Sequence, residues 1–277
     1  MMTAVWILLG VLLFLILLYL LVLIRPRRPG SVDPALLCNY AHRGRHGGAI
    51  PENSMAAFAL ACEEGVGIEL DVQLSRDGKV MVFHDYSLRR MTGCERLLSE
   101  MDAKDLQALS LAGTQETVPT LEQVLRLVRG RVPLLIELKG ESMDTSLCQA
   151  VAELLAGYEG AYCIESFHPL LVREIQRHIP GVFCGLLYTN VCREKKKTSL
   201  LNLHLTWMAL NFLARPQFIA YDQQERNSLP VRITTRWYKA PHFVWTARTA
   251  AQRRIAEELG EHAIFEIGTR PEEESRG

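Results

Sequence analysis

The sequence predicts an α/β protein built on a TIM-type (β/α)8 barrel, with a short insertion after the second barrel strand and one transmembrane helix before the barrel. Strand-like and helix-like segments alternate along most of the 277 residues, and such alternation implies parallel strands. About eight strand–helix units, in a chain near the usual ~250 residues, favour a closed barrel. Charged side chains recur toward the carboxyl ends of the early strands, where such barrels hold their sites.

The chain begins with an apolar stretch, residues 5–24, which has no charged residue. Its length of about 20 residues is what a helix needs to cross a bilayer. A cleaved secretory signal is the alternative, but it would have a basic start, a shorter apolar core and a small-residue cleavage site. We therefore expect residues 1–34 to be a transmembrane anchor with a basic linker, and residues 35–277 to form the barrel.

Three arginines, Arg25, Arg27 and Arg28, follow the apolar stretch. The positive-inside rule places them on the cytoplasmic side, so we expect a single-pass protein of the cell membrane with a cytoplasmic barrel. The seven cysteines are scattered and odd in number, which is typical of a reducing compartment rather than of a disulfide framework. The formal net charge is zero, and a balanced charge gives no reason to expect nucleic acid as a partner.

The predicted elements follow the chain in a regular order. The barrel strands are assigned to residues 38–41, 67–74, 133–139, 161–167, 182–187, 218–221, 242–246 and 263–267. The helices are assigned to residues 54–64, 121–128, 145–156, 169–178 and 250–259. Asn53 or Ser54 can cap the first helix, and Thr120 with Gln123 predicts a capping box on the second. An additional strand at 80–84 follows a hairpin turn, and residues 86–115 form the irregular insertion.

Acidic side chains point to one face of two predicted strands. Residues two apart in a strand share a face, so Glu69 and Asp71 lie together, as do Glu137 and Lys139. Carboxylates side by side on an inward face repel each other, and burying them unpaired is costly. A divalent cation resolves both problems. A buried ion network with Arg43 and Lys139 is the alternative, although three acids against two bases leave an excess of negative charge.

Five short motifs occur in a fixed order: Ala-His-Arg-Gly at 41–44, Pro-Glu-Asn-Ser at 51–54, Ile-Glu-Leu-Asp at 68–71, Phe-His-Asp at 83–85 and Ile-Glu-Leu-Lys at 136–139. Together they resemble the glycerophosphodiester phosphodiesterase family, from about residue 40 to residue 266. The resemblance implies hydrolysis of a small-molecule glycerophosphodiester to an alcohol and glycerol 3-phosphate.

The residues of these motifs suit a metal-assisted phosphoryl site, and the resemblance implies the same roles. His42 and His84 are expected to be the catalytic base and acid, since imidazole titrates near working pH. Arg43 and Lys139 are expected to bind the phosphate oxygens of the substrate. Outside the five motifs, Trp245 is expected to stack on the glycerol or its substituent. The alternative for Trp245 is a core aromatic at the rim. The metal ligands are expected to be Glu69, Asp71 and Glu137, whose oxygen donors favour Mg²⁺ or Ca²⁺.

Some features leave alternatives open. Residues 193–215 combine a basic run with an apolar stretch, which predicts either a helix packed on the barrel or a membrane-facing element with Trp207, Met208 and Phe212 at the acyl boundary. Lysophospholipase D activity on membrane lysolipids and a non-catalytic membrane scaffold are the alternative functions. The family's usual Thr-Asp-x-Pro ending is replaced at 265–268 by Phe-Glu-Ile-Gly, and Glu266 is left without an assigned role.

Overall fold

A computed structural model describes residues 2–140 and 144–266 as a closed barrel with one additional strand. Eight parallel strands pair in sequence, and the first and last close the ring. The predicted fold class is therefore confirmed. The strands are β1 Tyr40–Ala41, β2 Gly67–Leu74, β3 Val80–Val82, β4 Leu134–Leu138, β5 Tyr162–Ser166, β6 Cys184–Tyr188, β7 Phe218–Asp222, β8 His242–Ala247 and β9 His262–Phe265.

The helices lie outside the ring and follow the strands. They are α1 Met2–Leu18, α2 Met55–Glu63, α3 Arg89–Thr92, α4 Ala103–Leu106, α5 Leu121–Val128, α6 Ser146–Leu155, α7 Pro169–His178, α8 Val191–Glu194, α9 Leu200–Thr206, α10 Asn211–Ala214, α11 Leu229–Arg232 and α12 Ala250–Glu258. The five predicted helices are confirmed to within about one residue at each end. Ser54, rather than Asn53, caps α2 by accepting a hydrogen bond from Ala57 N, and the predicted capping box begins α5.

The alternation of side chains along the strands separates two cores. Ile68, Leu70 and Val72 point outward from β2 and pack beneath the surrounding helices. The inward side chains instead form two layers along the barrel axis. The lower layer is an apolar plug that contains Tyr40, Phe218 and other aromatic rings. The upper layer, at the carboxyl ends of the strands, is charged, and this is where the site lies.

The predicted additional strand and insertion occupy the side of the barrel. β3 pairs antiparallel with β2, and the strand ends at Val82, two residues earlier than predicted. His84 therefore lies in the loop that follows rather than in the strand. The insertion, residues 86–115, contains α3 and α4 and packs around its own small core, in which Met81, Phe83 and Leu106 are buried.

The connection between β6 and β7 is built from three short helices, α8 to α10, which the sequence did not predict separately. Met208 is buried, with 1% of its surface exposed, so its predicted position at an acyl boundary is wrong. Trp207 and Phe212 are exposed, as the membrane-facing alternative expected. The predicted last strand ends at Phe265, and residues 267 and 268 of the unusual ending lie outside the described residues, as does the acidic tail.

The apolar N-terminal segment is helical from Met2 to Leu23, its last turn being a π-helix. By length and composition it is the one described helix long and apolar enough to cross a membrane. Its end contacts the barrel directly. Ile24 is fully buried in the outer core, and its carbonyl accepts a hydrogen bond of 2.7 Å from Asn211 Nδ2. The domain boundary at residue 34 stays a prediction.

Candidate active site

Three carboxylates come together on neighbouring strands at the upper end of the barrel. Glu69 and Asp71 project inward from β2, and Glu137 projects from β4, where it is paired in register with Asp71. One oxygen from each lies within 4.8 Å of the others, and all three side chains are buried. The strand alternation that the sequence predicted therefore places the three predicted ligands in one cluster.

Two cations partly neutralise this cluster. Lys139 Nζ lies 2.9 Å from Glu137 Oε1 and 3.2 Å from Asp71 Oδ1. The backbone N–H of Arg43 donates to Glu69 Oε2 at 2.7 Å, and its guanidinium Nε lies 3.6 Å from Asp71 Oδ2. The ion network weighed from the sequence is therefore present. It is incomplete, because each cation is shared between acids.

The pKa values show the remaining imbalance of charge. Burial raises the pKa of Glu69 well above its usual value, and the charges of Asp71 and Glu137 raise it further. Burial also raises the pKa of Glu137 to about 7, despite the nearby Lys139. For Asp71, burial is outweighed by Lys139, His84 and Arg43, which hold its pKa below the usual range. Protons would have to neutralise part of this cluster at neutral pH, and a divalent cation would do so instead.

A fourth acid, Glu165, faces the same space and was missed from the sequence. It projects inward from β5 beside Glu137, is 1% exposed, and its Oε2 has no hydrogen-bond partner among the described residues. Burial raises its pKa well above the usual value, with further contributions from Glu69 and Glu137. The sequence feature that could have identified Glu165 was an acidic residue inside the predicted strand at 161–167.

The two predicted catalytic histidines line one cavity. His42 follows β1, and its Nδ1 lies 3.7 Å from Glu266 Oε2. His84 follows β3, and its Nδ1 lies 2.6 Å from Asp85 Oδ1. Burial lowers the pKa of both imidazoles. Glu266, which had no assigned role, lies beside His42, and the neighbouring imidazole lowers the pKa of Glu266 to about 2.

Buried polar contacts fix the position of both histidine loops. Gln73 donates its side-chain amide to the carbonyls of Phe83 and Asp85, at 2.8 and 2.9 Å. Glu52 joins the two loops, because it accepts from Arg43 Nη1 at 2.7 Å and from Arg90 Nη2 at 2.6 Å. The site is held rigidly by its own charged groups.

The turn after β1 has a backbone shape that its residues support. Gly44 has φ +81°, and a Cβ there would lie 2.9 Å from Ala57 Cβ, so a side chain would force α2 away. Asn53 has φ +52°, a conformation that asparagine tolerates, and it donates to Asp71 Oδ2 at 2.8 Å. Asn53 therefore orients a carboxylate rather than the helix.

A cavity of about 150 Å³ lies among these groups. Its lining includes the two histidines, Arg43, Glu69, Glu137, Lys139, Glu165, Phe167 and Trp245. A second cavity of about 370 Å³ adjoins it through His84, Glu137 and Lys139 and reaches Glu194 in α8. Trp245 stands at the rim, edge-on to Phe167 with ring centroids 5.6 Å apart, and donates its indole N–H to Ala220 O. The structure thus brings all eight predicted site residues to one mouth.

The chain matches one protein family over most of its length. The model of the glycerophosphoryl diester phosphodiesterase family covers residues 42–266. A glycerophosphodiester phosphodiesterase of Caldanaerobacter subterraneus is 34% identical over 162 residues, which cover 53% of this chain and 65% of that protein. One of Bacillus altitudinis is 40% identical over 167 residues, covering 56% and 68%. The chain thus spans about two-thirds of the length of these relatives.

A solved structure gives the same result for the fold. The chain is similar to an Oleispira antarctica phosphodiesterase in complex with the product sn-glycerol-3-phosphate, with a TM-score of 0.68 and 24% identity over 82% of this chain and 92% of that one. A likeness at this identity shows the shared barrel alone.

Proposed function

Since this chain belongs to the glycerophosphoryl diester phosphodiesterase family, we propose that it is a metal-dependent phosphodiesterase that hydrolyses glycerophosphodiesters to an alcohol and glycerol 3-phosphate. One observation carries the proposal: two half-buried histidines and a cluster of buried carboxylates line a single cavity. The glycerophosphodiester phosphodiesterases of Caldanaerobacter subterraneus and Bacillus altitudinis, to which the chain is similar, support the same substrate class.

We propose that Glu69, Asp71 and Glu137 hold the divalent cation. The donors fit such an ion, because three buried carboxylate oxygens lie within 4.8 Å of one another and lack sufficient counter-charge. Their all-oxygen chemistry suits Mg²⁺ or Ca²⁺. When bound, the ion would neutralise charge on the phosphoryl oxygens.

With a cation bound, Arg43 and Lys139 would be available to bind the substrate. Both cations are shared among carboxylates in the structure, at 3.6 and 3.2 Å from Asp71. Once those carboxylates have another counter-charge, the guanidinium fork and the ammonium can contact phosphate oxygens. Trp245, at the rim, offers a ring face to the glycerol or its substituent.

His42 and His84 act as a base–acid pair. A hydroxyl beside the phosphate-bearing carbon of glycerol is held near phosphorus and can attack it, and such orientation is worth ~7 kcal/mol or more. We propose that His42 takes that proton while His84 protonates the departing alcohol, and that the roles reverse when water opens the cyclic phosphate. Asp85, at 2.6 Å, orients His84, whereas Glu266 lies 3.7 Å from His42 Nδ1, within ion-pair distance.

We further propose that the N-terminal helix is a retained membrane anchor with the barrel on the cytoplasmic side. Ile24 is part of the core, Tyr238 donates its hydroxyl to Leu20 O, and Arg27 N donates to Pro216 O at 2.8 Å. Cleavage after the apolar stretch would remove Ile24 and leave the buried Asn211 amide without its acceptor. The arginines that follow favour the cytoplasmic orientation.

The function is tested with the full chain in detergent. Release of the alcohol is measured with chelator and with Mg²⁺ or Ca²⁺ restored: choline from glycerophosphocholine and lysophosphatidylcholine, and ethanolamine from glycerophosphoethanolamine. We expect hydrolysis of glycerophosphocholine and glycerophosphoethanolamine, lost with chelator and restored by the ion. Faster turnover of lysophosphatidylcholine would instead favour lysophospholipase D activity, and no hydrolysis of any substrate would favour the scaffold.

The order of events is tested with a 2-deoxy glycerophosphodiester. Internal attack predicts slow turnover of this compound while it still competes with the parent substrate for binding. Hydrolysis at the parent rate would exclude internal attack and would assign the nucleophile to water.

A further inference from the structure

One side of the barrel exposes an unusual concentration of large apolar side chains. We call it the membrane face and define it by the exposed residues of α9, α10, α11 and the π-turn after α11: Leu200, Leu201, Leu203, Trp207, Phe212, Leu229 and Trp237. The exposed fractions reach 74% at Leu200 and 61% at Trp237. Scattered single apolar residues on a surface need no explanation, but a contiguous group marks an interaction site.

Two helices of this face each bury an asparagine and expose large apolar side chains, the reverse of an ordinary surface helix. In α9, Asn202 is buried while its neighbours Leu201 and Leu203 are exposed. Asn202 Nδ2 is satisfied internally by Lys197 O at 2.8 Å. In α10, Asn211 is fully buried and Phe212 faces outward. A water-exposed helix would place these residues the other way round, so the outward side of this face does not fit water.

The membrane face is continuous with the apolar N-terminal helix. A groove of about 720 Å³ lies between them, lined by Leu15, Ile16 and Leu20 on one side and by Leu203, Ile233 and Trp237 on the other. Tyr19 closes its inner end, where its hydroxyl donates to Trp207 O at 2.9 Å and its ring meets the indole edge-on. A groove with one wall on a membrane-crossing helix is reached by acyl chains.

Positive charge borders the apolar surface. Lys195, Lys196 and Lys197 precede α9, are exposed, and form no ion pair with any residue that the structure describes. On the other side, the linker arginines 25, 27 and 28 lie beside Lys239, two residues after Trp237. Apolar rings flanked by unpaired cations match the boundary between acyl chains and anionic headgroups.

From these observations we infer that the membrane face is inserted into the interface of an anionic phospholipid bilayer, with acyl chains in the groove and the bordering cations at the phosphate groups. The inference rests on the proposed retention of the N-terminal helix in the membrane. It does not depend on the proposed hydrolysis. A second copy of the chain is the competing occupant, but the flanking cations of two such faces would repel each other.

Insertion would also orient the mouth of the barrel. The β6–β7 connection leaves the barrel at the carboxyl ends of the strands, where the site lies, and Glu194 in α8 already lines the outer cavity. The membrane face begins six residues later, at Leu200. The mouth would therefore open beside the bilayer surface, within reach of molecules that partition there.

Tryptophan fluorescence tests the inference, because the chain has four tryptophans in useful places. Four variants each keep one of them and carry phenylalanine at the other three. Trp6 reports on the anchor, Trp207 and Trp237 on the membrane face, and Trp245 on the mouth. Each full chain is placed in nanodiscs of phosphatidylcholine and phosphatidylglycerol, with bromine near either the headgroup end or the methyl end of the acyl chains.

We expect Trp207 and Trp237 to lose emission most strongly with bromine near the headgroup end, because interfacial elements enter only ~5–10 Å. Trp245 should be unaffected. Replacing lysines 195–197 with glutamine should reduce the loss in these anionic discs. If the Trp207 chain does not fold, the Trp237 chain carries the test.

Three results would overturn the inference. Quenching of Trp6 without quenching of Trp207 and Trp237 would show an anchor with a water-facing barrel. If neither brominated lipid nor acrylamide quenched Trp207 and Trp237 in discs that hold two copies, the face would be covered by a second copy. An unquenched Trp6 would remove the anchor on which the inference rests. The hydrolysis assay uses the chain with all four tryptophans and does not depend on these outcomes, so the two proposals fail separately.

Discussion

At the mouth of the barrel, carboxylates are buried; on the membrane face, large apolar side chains are exposed. Glu69, Glu137 and Glu165 lie within the protein with too little counter-charge, whereas Leu200 and Trp237 face outward. Each arrangement is costly for an isolated chain, since unpaired charge is disfavoured inside and apolar surface is disfavoured in water. The proposed cation and phosphate would offset this cost at the mouth, and the proposed lipid would offset it on the membrane face.

The largest effect should come from the mouth. His42→Ala and His84→Ala should each lower kcat by about 10²–10⁴-fold, the usual range for a general acid or base. The double variant should be little slower than either single one, because residues that act as a unit are not additive. Steady-state hydrolysis of glycerophosphocholine measures both.

His178→Ala is a suitable control, since this histidine ends α7 and, within the described part of the chain, forms its ion pair with Glu174 on the same helix. It should keep the wild-type rate. Full activity in either His42→Ala or His84→Ala would remove that histidine from the proposed pair.

A smaller effect is expected from Glu165, whose Oε2 has no hydrogen-bond partner among the described residues. The raised pKa of Glu165 means that the folded state binds its proton more tightly than the unfolded state does. The resulting stability is present below the usual carboxyl pKa and is lost as pH rises through the folded value. Glu165→Gln stays neutral, so with chelator present its melting temperature should fall less between acid and neutral pH, with a gain near neutral pH of roughly 1 kcal/mol.

Glu122→Gln is the matched control, because Glu122 is an exposed acid paired with Arg126 on α5. Its pH dependence should follow the wild type. If Glu165→Gln also followed the wild type, Glu165 would not be a protonated acid in the folded chain.

Substitutions on the membrane face should have the smallest effect on catalysis. Leu200→Glu with Leu201→Glu changes two exposed side chains of the membrane face, and exposed substitutions rarely alter stability by more than about 0.5 kcal/mol. In detergent, kcat/KM for a water-soluble substrate should stay within about twofold of wild type. A loss as large as that of the histidine variants would show that the two regions are not separate.

The front half of the site could be predicted because its information is local. The alternation Glu69–Leu70–Asp71 assigns a face to each side chain, and the ordered motifs add the rest. The bounds of β3 were overestimated, since pairing with β2 ends at Val82 whereas the apolar pattern continues to Phe83. Because of that error His84 was expected at the end of a strand, whereas it lies in the loop that follows, still at the mouth of the barrel.

The features that were missed depend on contacts between distant residues. The proximity of His42 to Glu266 requires β1 to lie beside β9, which only closure of the ring provides. Glu165 matters because β5 lies beside β4. The sequence showed that α9 contains several apolar residues, but it did not show which of them would be exposed. The burial of Asn202 and Met208 follows from packing on the barrel rather than from the pattern of the helix.

The most direct test of the charged mouth is the melting temperature of the full chain in detergent as Mg²⁺ or Ca²⁺ is added after chelation. An ion at 100 times its Kd stabilises the folded state by about 2.7 kcal/mol, or ~5–10 °C for a domain of this size. The rise should be larger at about pH 8 than at about pH 6, because burial raises the pKa of Glu137 to about 7 and protons compete with the ion. Glu137→Gln should abolish it. An unchanged melting temperature and full activity after exhaustive chelation would contradict the cation and leave the carboxylates as members of an ion network with Arg43 and Lys139.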